Sequence, residues 1–586
     1  MNKSLYKTLS VGLALSFAAT MAVAGGSSTS LAKTSHKSSN ASLPTFRLVN
    51  WVAPNLKLAK SLDPAQISAA ADYFVTQSVN QNLVTNDTSG KILKQLATKI
   101  TVSKNRKAYT FTMRHAKFEN GDPIMANTVV YSIKRSLSPD TASVVNYYDD
   151  TGFGDILGAH AYINGKSTSL PGVKALNKYT VQIKLIAPIS YFLYALTYPI
   201  NDVVDPNIVQ GQVAKVTGNY LTSNCPAARA NASGQFTFQC TGNDFFPSGE
   251  TPRYDLVPNP KYSGPFKKPK MKMELQVAGT SETAYNEYLS GALDLGGIPA
   301  AHLAQWKKNP KGQMFGGPGC SKPTKGCPTT TVFYIQLNTT EPPFNNKDCR
   351  LAVAWALNRS NLAKIFQGSE AAQYTITPSG LGIMNAKVLK PILSKVPRTN
   401  MAKAQSFMSK CPASNKTANI QFVYATGDVS GTAEALAEVQ TMKNLGFTNA
   451  QAVGKSQDDW LTDVNTPMSQ THIQGVDGGW AQDYSDPQDF MTLLWACGAS
   501  YNIGELCDKK ADRLMKSGDT APTVKQRIAD YNAAQVELLN QGYPIMTLNR
   551  VHYALVKPYV HGLKYYVPTG TCPVHCDWSK LTIAKH

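Results

Sequence analysis

The sequence predicts an α/β protein with more than one domain. In several short runs, apolar residues alternate with polar ones, which is the period of a strand with one buried face. Between these runs, apolar residues recur at three- and four-residue steps, as on the buried face of a helix. Strands and helices that alternate along the chain favour an α/β fold. At 586 residues, the chain is too long for one hydrophobic core, so two or three domains are expected.

Four segments carry the strand period most clearly. In each of them one set of alternate side chains is apolar, and the other set is largely Thr, Gln, Lys, Glu or Arg. This pattern predicts strands at residues 109–113, 179–185, 271–277 and 333–337.

Three segments carry the helix period. Apolar side chains from Leu351 to Phe366 recur at helical spacing, and Asp348 lies in the opening turn, where a negative charge is favourable. A second helix is predicted at 436–445, with Gly446 as its C-terminal cap. A third helix is predicted at 531–539.

The composition is that of an ordinary globular protein. Hydrophobic residues make up 42% of the chain and charged residues 16%, which excludes a disordered protein. The formal net charge is +20, but the lysines are scattered along the chain. We therefore attribute the charge to solubility or to weak attraction towards an anionic envelope, and we expect no nucleic-acid partner.

The N-terminal residues predict export. Lys3 and Lys7 precede an apolar stretch, and Ala22-Val23-Ala24 fits a signal-peptidase site, so residues 1–24 are predicted to be a secretory signal peptide. An uncleaved anchor is the alternative, although the stretch is short for a membrane span. Residues 25–43, rich in Ser, Thr, Lys and Gly, are predicted to be a flexible tether.

Ten cysteines follow the signal, and an even number outside the cytosol suggests disulfides. The sequence leaves their connectivity open. Pairing of neighbours is our hypothesis: Cys225 with Cys240, Cys320 with Cys327, Cys497 with Cys507, Cys572 with Cys576, and Cys349 with Cys411.

Short motifs occur in the order found in one known family. They include Ser61-Leu62-Asp63-Pro64, the Asn82-Leu83-Val84 segment with Gly90, the stretch from Ala108 to Arg135, Asn259-Pro260-Lys261-Tyr262, the turn Ser290 to Asp294, and Gly479-Trp480-Ala481-Gln482-Asp483-Tyr484-Ser485-Asp486-Pro487. Together they resemble the family-5 extracellular solute-binding proteins, which carry oligopeptides, dipeptides or nickel. Each motif is short, but their shared order spans nearly the whole mature chain.

Two features depart from the family pattern. Gly25-Gly26-Ser27 follows the predicted cleavage site, where many members carry a lipidated cysteine. Pro247-Ser248-Gly249-Glu250 occupies the region of the family's "GTGPY" element. The first departure bears on lipid anchoring, and the second suggests a rebuilt loop.

The resemblance implies a two-lobed periplasmic-binding-protein fold of class II type, with an extra subdomain inserted in the first lobe. The core of lobe I is expected at 44–77, 172–275 and 548–586, the inserted subdomain at 78–171, and lobe II at 276–547. Crossover strands between the lobes are expected near 274–279 and 544–551.

The resemblance also implies a function: the extracellular capture subunit of an ABC importer that closes over an oligopeptide. Its partners would be membrane permease subunits with cytoplasmic ATPases. We expect a monomer without a cofactor, located in the periplasm or at the outer face of the cell membrane.

Asp483 is the principal predicted site residue, because the matching aspartate in relatives holds the ligand's α-ammonium group. An enclosed carboxylate needs such a counter-charge. The alternative is that Asp483 caps a local turn. Further predicted ligand contacts are Gly479, Trp480, Ala481, Tyr484, Asn82, Leu83 and Val84, whereas Asp486 and Pro487 are predicted to be structural. Core packing is the alternative for Trp480, and it is favoured for Tyr484.

Other functions have less support in the sequence. The motifs of serine hydrolases, zinc proteases, P-loop proteins and dinucleotide-binding proteins do not occur in the sequence, so we expect no enzyme. A binding protein for a metal complex or an oligosaccharide is the main alternative. Cys572 and Cys576 with His575 could form a metal site, although a disulfide is favoured and we predict no metal site. A surface adhesion or signalling protein that reuses the fold is the weaker alternative.

Overall fold

The computed structural model describes residues 43–49, 61–67, 70–87, 89–141, 153–210, 220–242, 245, 253–276, 278, 280–316, 320, 322–426, 429–563 and 577–585. The predicted signal peptide, nearly all of the predicted tether, and Cys572, His575 and Cys576 lie outside these residues. The first lobe here means the described residues up to 316 and from 554 onwards. The second lobe means residues 327–552.

The first lobe is built on a mixed sheet of seven described strands. In spatial order they are β10 (Phe236–Phe238), β11 (Arg253–Pro258), β12 (Lys272–Gln276), β1 (Thr45–Val49), β13 (Leu295–Gly297), β21 (Ala554–Val556) and β14 (Met314–Phe315). β1 runs parallel to β12, with Thr45 opposite Lys272. Alternate residues of these two strands, such as Phe46, Leu48 and Met273, are fully buried, so the period-two pattern is explained by one core-facing side.

A smaller antiparallel sheet also belongs to the first lobe. Its strands are β4 (Ala97–Val102), β5 (Ala108–Met113), β9 (Thr180–Lys184) and β8 (Val173–Asn177), in this spatial order. Short two-stranded pairs accompany it: β2 (Val84–Asn86) with β3 (Ile92–Lys94), β6 (Ala116–Lys117) with β7 (Pro123–Ile124), and β22 (Val560–His561) with β23 (Thr582–Ile583). The core around the small sheet continues into residues of the second lobe, including Trp495 and Met515.

The second lobe is built on a mixed sheet of six described strands. In spatial order they are β16 (Glu370–Ala372), β20 (Ile545–His552), β15 (Cys327–Leu337), β19 (Gly475–Ala481), β17 (Ile420–Ala425) and β18 (Ala450–Lys455). The long central strand β15 is antiparallel to both of its neighbours. A separate hydrophobic core, which contains Leu337, Phe422 and Leu548, packs against this sheet.

Helices cover both sheets. In the described part of the chain they are α1 (Ala70–Val79), α2 (Ala126–Leu137), α3 (Ala159–Ile163), α4 (Phe192–Ala195), α5 (Pro206–Val209), α6 (Tyr220–Ser223), α7 (Cys225–Asn231), α8 (Ser281–Ser290), α9 (Ala300–Lys308), α10 (Lys347–Ala356), α11 (Arg359–Ile365), α12 (Ala386–Leu389), α13 (Met401–Met408), α14 (Ala413–Lys416), α15 (Val429–Leu445), α16 (Gln457–Asp463), α17 (Met468–Thr471), α18 (Thr492–Trp495), α19 (Lys509–Thr520) and α20 (Val524–Leu539). Within these ranges, no helix has the length and apolar content needed to cross a membrane.

The predicted strands are confirmed as β5, β9, β12 and β15, and two of the predicted helices are confirmed as α15 and α20. The prediction of one helix from Leu351 to Phe366 was wrong, because the chain forms α10 and α11 there. The Asn358 side chain accepts a hydrogen bond from the Asn361 N–H at 3.1 Å and caps the start of α11. Apolar spacing alone does not detect such an interruption, since the spacing continues across it.

The chain passes from the first sheet to the second between β14 and β15, which is later than the predicted 274–279. After β12 it returns twice to the same sheet, as β13 and β14, so the expected boundary at 276 does not coincide with a change of sheet. The return passage lies at Tyr553, between β20 and β21, and the expected boundary at 548 falls inside β20.

Four of the predicted disulfides are present in the described residues: Cys225–Cys240, Cys320–Cys327, Cys349–Cys411 and Cys497–Cys507. Their sequence separations are 15, 7, 62 and 10 residues. Cys349–Cys411 closes by far the longest loop, and both of its cysteines are buried.

Removal of the Cys349–Cys411 disulfide by two alanine substitutions is expected to lower the free energy of unfolding more than removal of Cys320–Cys327. A longer closed loop restricts the unfolded chain more, and the ratio of 62 to 7 residues corresponds to about 2 kcal/mol. Urea denaturation of both double variants measures the difference. Equal losses of stability would contradict the loop-length explanation.

Candidate functional site

A cavity of about 320 Å³ lies between the two lobes. The first lobe lines it with Ile67, Tyr73, Tyr198 and Ile200. The second lobe lines it with side chains from β15, β19 and the region of α16, together with Tyr501. A ligand in this position would touch both lobes.

β19 forms the wall of the cavity that contains most of the predicted contacts. β15 pairs with it along its whole length, from Gly475 to Ala481. On its other side, β17 pairs only with Gly475 and Val476. Within the described residues, positions 477–481 therefore have one edge without a strand partner. Gly479, Trp480 and Ala481, all three predicted as contacts, line the cavity, and an extended ligand backbone can hydrogen-bond to such an edge.

Asp483 also lines the cavity, two residues after β19 ends. It is 7% exposed. Its backbone N–H donates to Asp489 Oδ2 at 2.9 Å, so its position is held from behind by a second buried acid. The strand edge and the carboxylate are thereby brought to the same wall.

The Asp483 carboxylate affects the ionisation of the neighbouring Asp489. Burial, reinforced by the Asp483 carboxylate, raises the pKa of Asp489 well above its usual range. The Asp483 carboxylate thus opposes the ionisation of Asp489, and a cationic ligand group at Asp483 would relieve this repulsion.

The turn after Asp483 is capped by Asp486, not by Asp483. Asp486 Oδ1 accepts from the Gln488 N–H at 3.0 Å at the start of a short 3-10 helix, Pro487–Phe490. The same carboxylate receives both guanidinium nitrogens of Arg527, at 2.7 and 2.8 Å. Asp486 therefore has the turn-capping role that the alternative assigned to Asp483, in keeping with the structural role predicted for Asp486 and Pro487.

Two indole rings of the cavity wall are held by hydrogen bonds. Trp480 Nε1 donates to Asp489 Oδ1 at 3.2 Å, and its ring meets Tyr501 edge to face at 4.8 Å. Trp460 Nε1 donates to the Asp477 carbonyl at 3.1 Å. Both rings are therefore fixed in orientation before a ligand arrives.

Asn82, Leu83 and Val84, which were predicted as contacts, do not line this cavity. The Asn82 side chain donates to the carbonyl oxygens of Leu196 and Tyr198, at 2.5 and 3.3 Å. Leu83 and Val84 are core residues, 1% and 0% exposed. Asn82 thus holds the backbone of Tyr198, which itself lines the cavity. The segment supports the cavity wall without forming it.

Tyr484 is likewise placed behind the wall. It is 1% exposed, and its hydroxyl donates to Gln488 Oε1. The structure gives Tyr484 a packing role beside Asp483 rather than a place in the cavity.

Sequence reasoning missed Trp460, Leu461 and Tyr501, which line the cavity. For Trp460 and Leu461, the sequence contains a feature that could have indicated them. They are adjacent apolar residues in the acidic helix α16, and Leu461 is 36% exposed. A large apolar pair on a polar helix indicates a surface that another molecule covers.

No group of three or more His, Cys, Asp or Glu side chains arranged as metal ligands occurs in the part of the chain that the structure describes. The candidate cluster at Cys572, His575 and Cys576 lies outside that part.

Asp477 is a titratable residue of β19 that does not line the cavity. Burial raises its pKa from 3.8 to about 7, and its Oδ1 has no hydrogen-bond partner. Burial, with the charges of Asp477 and Glu434, also raises the pKa of Glu438 in α15 well above its usual range. A carboxyl group with a raised folded-state pKa stabilises the fold below its unfolded pKa, and this stability is lost as pH rises through the folded value.

Asp477→Asn is therefore expected to reduce the loss of stability between pH 5 and pH 8. The amide remains neutral over this range, and it also removes the charge that opposes ionisation of Glu438. Urea denaturation at both pH values measures the effect, with Asp458→Asn on the exposed surface of α16 as control. The same loss of stability in Asp477→Asn as in the unmodified protein would contradict the assignment.

Comparison with known proteins places the chain in a family. The sequence model of the bacterial extracellular solute-binding proteins, family 5, matches residues 91–502. A dipeptide-binding protein of Lactococcus lactis is 27% identical over 527 residues, which covers 86% of this chain and 90% of the relative. The periplasmic oligopeptide-binding protein OppA of Escherichia coli is 25% identical over 539 residues, covering 90% and 91%.

Solved structures show the same fold. The peptide-bound OppA of Listeria monocytogenes superposes with a TM-score of 0.71 at 20% sequence identity, covering 93% of this chain and 100% of that structure. The two-lobed α/β architecture is therefore the architecture of these binding proteins. The chain belongs to family 5 of the bacterial extracellular solute-binding proteins.

Proposed function

We propose that this protein is the substrate-binding subunit of an ABC importer, and that it captures oligopeptides by closing its two lobes over them. The lobes are joined by two passages, one between β14 and β15 and one at Tyr553. Two chain passages between lobes whose main sheets have their own cores allow a hinge motion. Contacts that a ligand makes with both lobes at once then favour the closed form.

One observation carries the proposal: an edge of β19 that has no strand partner among the described residues leads to Asp483 within the inter-lobe cavity. A peptide that lies along this edge forms main-chain hydrogen bonds, which do not depend on its sequence. Its α-ammonium group lies against the Asp483 carboxylate. The same two groups therefore recognise the features that all peptides with a free N-terminus share.

The partners we propose are membrane permease subunits driven by cytoplasmic ATPases, and the protein acts as a monomer outside the cytoplasmic membrane, in the periplasm or at the outer face of the cell. Four disulfides support an oxidising compartment. We also propose that residues 78–171 form a subdomain inserted between two parts of the first-lobe core.

Native mass spectrometry of the purified mature protein, followed by denaturation, tests the cargo. We expect the release of short peptides of several masses, because main-chain recognition tolerates many sequences. Release of one non-peptide mass, such as a metal complex or an oligosaccharide, would overturn the peptide assignment. If the protein is purified without a ligand, peptide-dependent thermal stabilisation provides the same decision.

Asp483→Asn is expected to weaken peptide binding by about 3 kcal/mol, or roughly 100-fold, because an enclosed ammonium group loses its counter-charge. Isothermal titration calorimetry with one pentapeptide measures the change. Circular dichroism checks that the fold is retained.

Asp458→Asn is the matched control, since it removes the same charge from the exposed surface of α16, and it is expected to bind the pentapeptide as the unmodified protein does. An N-acetylated pentapeptide should bind the unmodified protein as weakly as the free peptide binds Asp483→Asn. Undiminished affinity in Asp483→Asn would remove Asp483 from the site.

A further inference from the structure

The polar side chains around the inter-lobe cavity are bonded to the protein itself. The hydroxyls of Tyr73 and Tyr198 hydrogen-bond to each other. The Tyr334 hydroxyl donates to the Gly479 carbonyl at 3.5 Å. All three tyrosines line the cavity, and their hydroxyl groups bond to other residues of the cavity wall.

Gln336 and Asn465 follow the same pattern. Gln336 Nε2 donates to the Tyr501 carbonyl at 3.1 Å, and its Oε1 accepts from the Tyr543 hydroxyl at 2.7 Å. Asn465 Nδ2 donates to the Leu461 carbonyl at 2.6 Å. The indole N–H groups of the two tryptophans are likewise used within the protein. The described wall therefore presents mainly apolar and aromatic faces to a ligand side chain.

The charged residues of the wall also favour apolar ligand side chains. Among the described residues that line the cavity, Asp483 is the only one of the types Asp, Glu, Lys, Arg and His. Against these described residues, an acidic ligand side chain would lose its hydration and would lie near the Asp483 carboxylate. An apolar side chain loses nothing and covers the exposed part of Leu461.

We propose that this cavity selects peptides with a bulky apolar or aromatic side chain in one of their first two residues, and that it rejects acidic side chains there. The proposal rests on the proposed function, because Asp483 fixes the position of the N-terminus and hence of the residues beside it. Trp460, Leu461 and Val464 from the region of α16 line the cavity together with Trp480 and Tyr501, whose rings contact each other. The hydrogen bonds of the two indoles hold this pocket in shape, which favours rigid aromatic side chains.

A set of alanine pentapeptides tests the preference by calorimetry. Each peptide carries a single Phe or a single Glu at position 1, 2 or 4. We expect Phe to bind at least tenfold more tightly than Glu at position 1 or position 2, and the difference to be smaller at position 4. Equal affinities for Phe and Glu at both early positions would overturn the selectivity while leaving peptide capture intact. No binding of any pentapeptide would overturn the proposed function as well.

Leu461→Lys provides a second test, because it places an ammonium group at the cavity from a position that is partly exposed already. We expect the ratio of affinities for the Phe and Glu peptides to fall at least tenfold at the preferred early position. Leu436→Lys is the matched control: Leu436 is 54% exposed on α15 and does not line the cavity. An unchanged ratio in Leu461→Lys, or an equal fall in both variants, would overturn the assignment of the pocket.

Discussion

The buried ion pair between Asp486 and Arg527 holds the turn on which the cavity wall depends. Arg527 comes from α20, and both of its terminal guanidinium nitrogens meet the carboxylate that caps the helix Pro487–Phe490. This helix carries Asp489, which in turn binds the backbone of Asp483 and the indole of Trp480. A buried pair of this kind is costly to break, because one charge would be left without a partner. The position of the site's main carboxylate therefore follows from an interaction outside the cavity.

The first lobe contains the same device. Asp63 caps the 3-10 helix Pro64–Gln66, and its two carboxylate oxygens receive the guanidinium of Arg135 at 2.6 and 2.7 Å. In both lobes an Asp-Pro pair starts a short helix beside the cavity, and an arginine from a longer helix neutralises the aspartate. Pro contributes a backbone angle already suited to the first helical position. The two Asp-Pro motifs, Asp63-Pro64 and Asp486-Pro487, are thus explained by their role in the fold rather than by contact with a ligand.

The sequence motifs predicted the site only in part, because some of their residues bond to one another and do not line the cavity. Ser485 Oγ accepts hydrogen bonds from Asn86 and Gln482, at 3.0 and 2.6 Å. A Cβ atom at Gly382 would lie 2.2 Å from the Ser485 carbonyl oxygen, and the φ of Gly382 is +52°. The segment that begins at Asn82 therefore supports the turn near Asp483, whereas its likeness to relatives suggested contact. A linear motif does not distinguish a residue that holds the site from one that lines it.

The sequence by itself predicted the α/β class and the main periodic strands, because local alternation reports a buried face. The pairing of neighbouring cysteines was a hypothesis that holds for four pairs, and the wall segment from Gly479 to Asp483 was implied by the family resemblance. Only the tertiary structure decided that β13 and β14 stay in the first sheet, that burial beside Asp483 raises the pKa of Asp489, and that Trp460 and Tyr501 complete the cavity. Alternation reports which face of a strand is buried but not which strand lies beside it, and the charge of a carboxyl depends on neighbours that folding brings together.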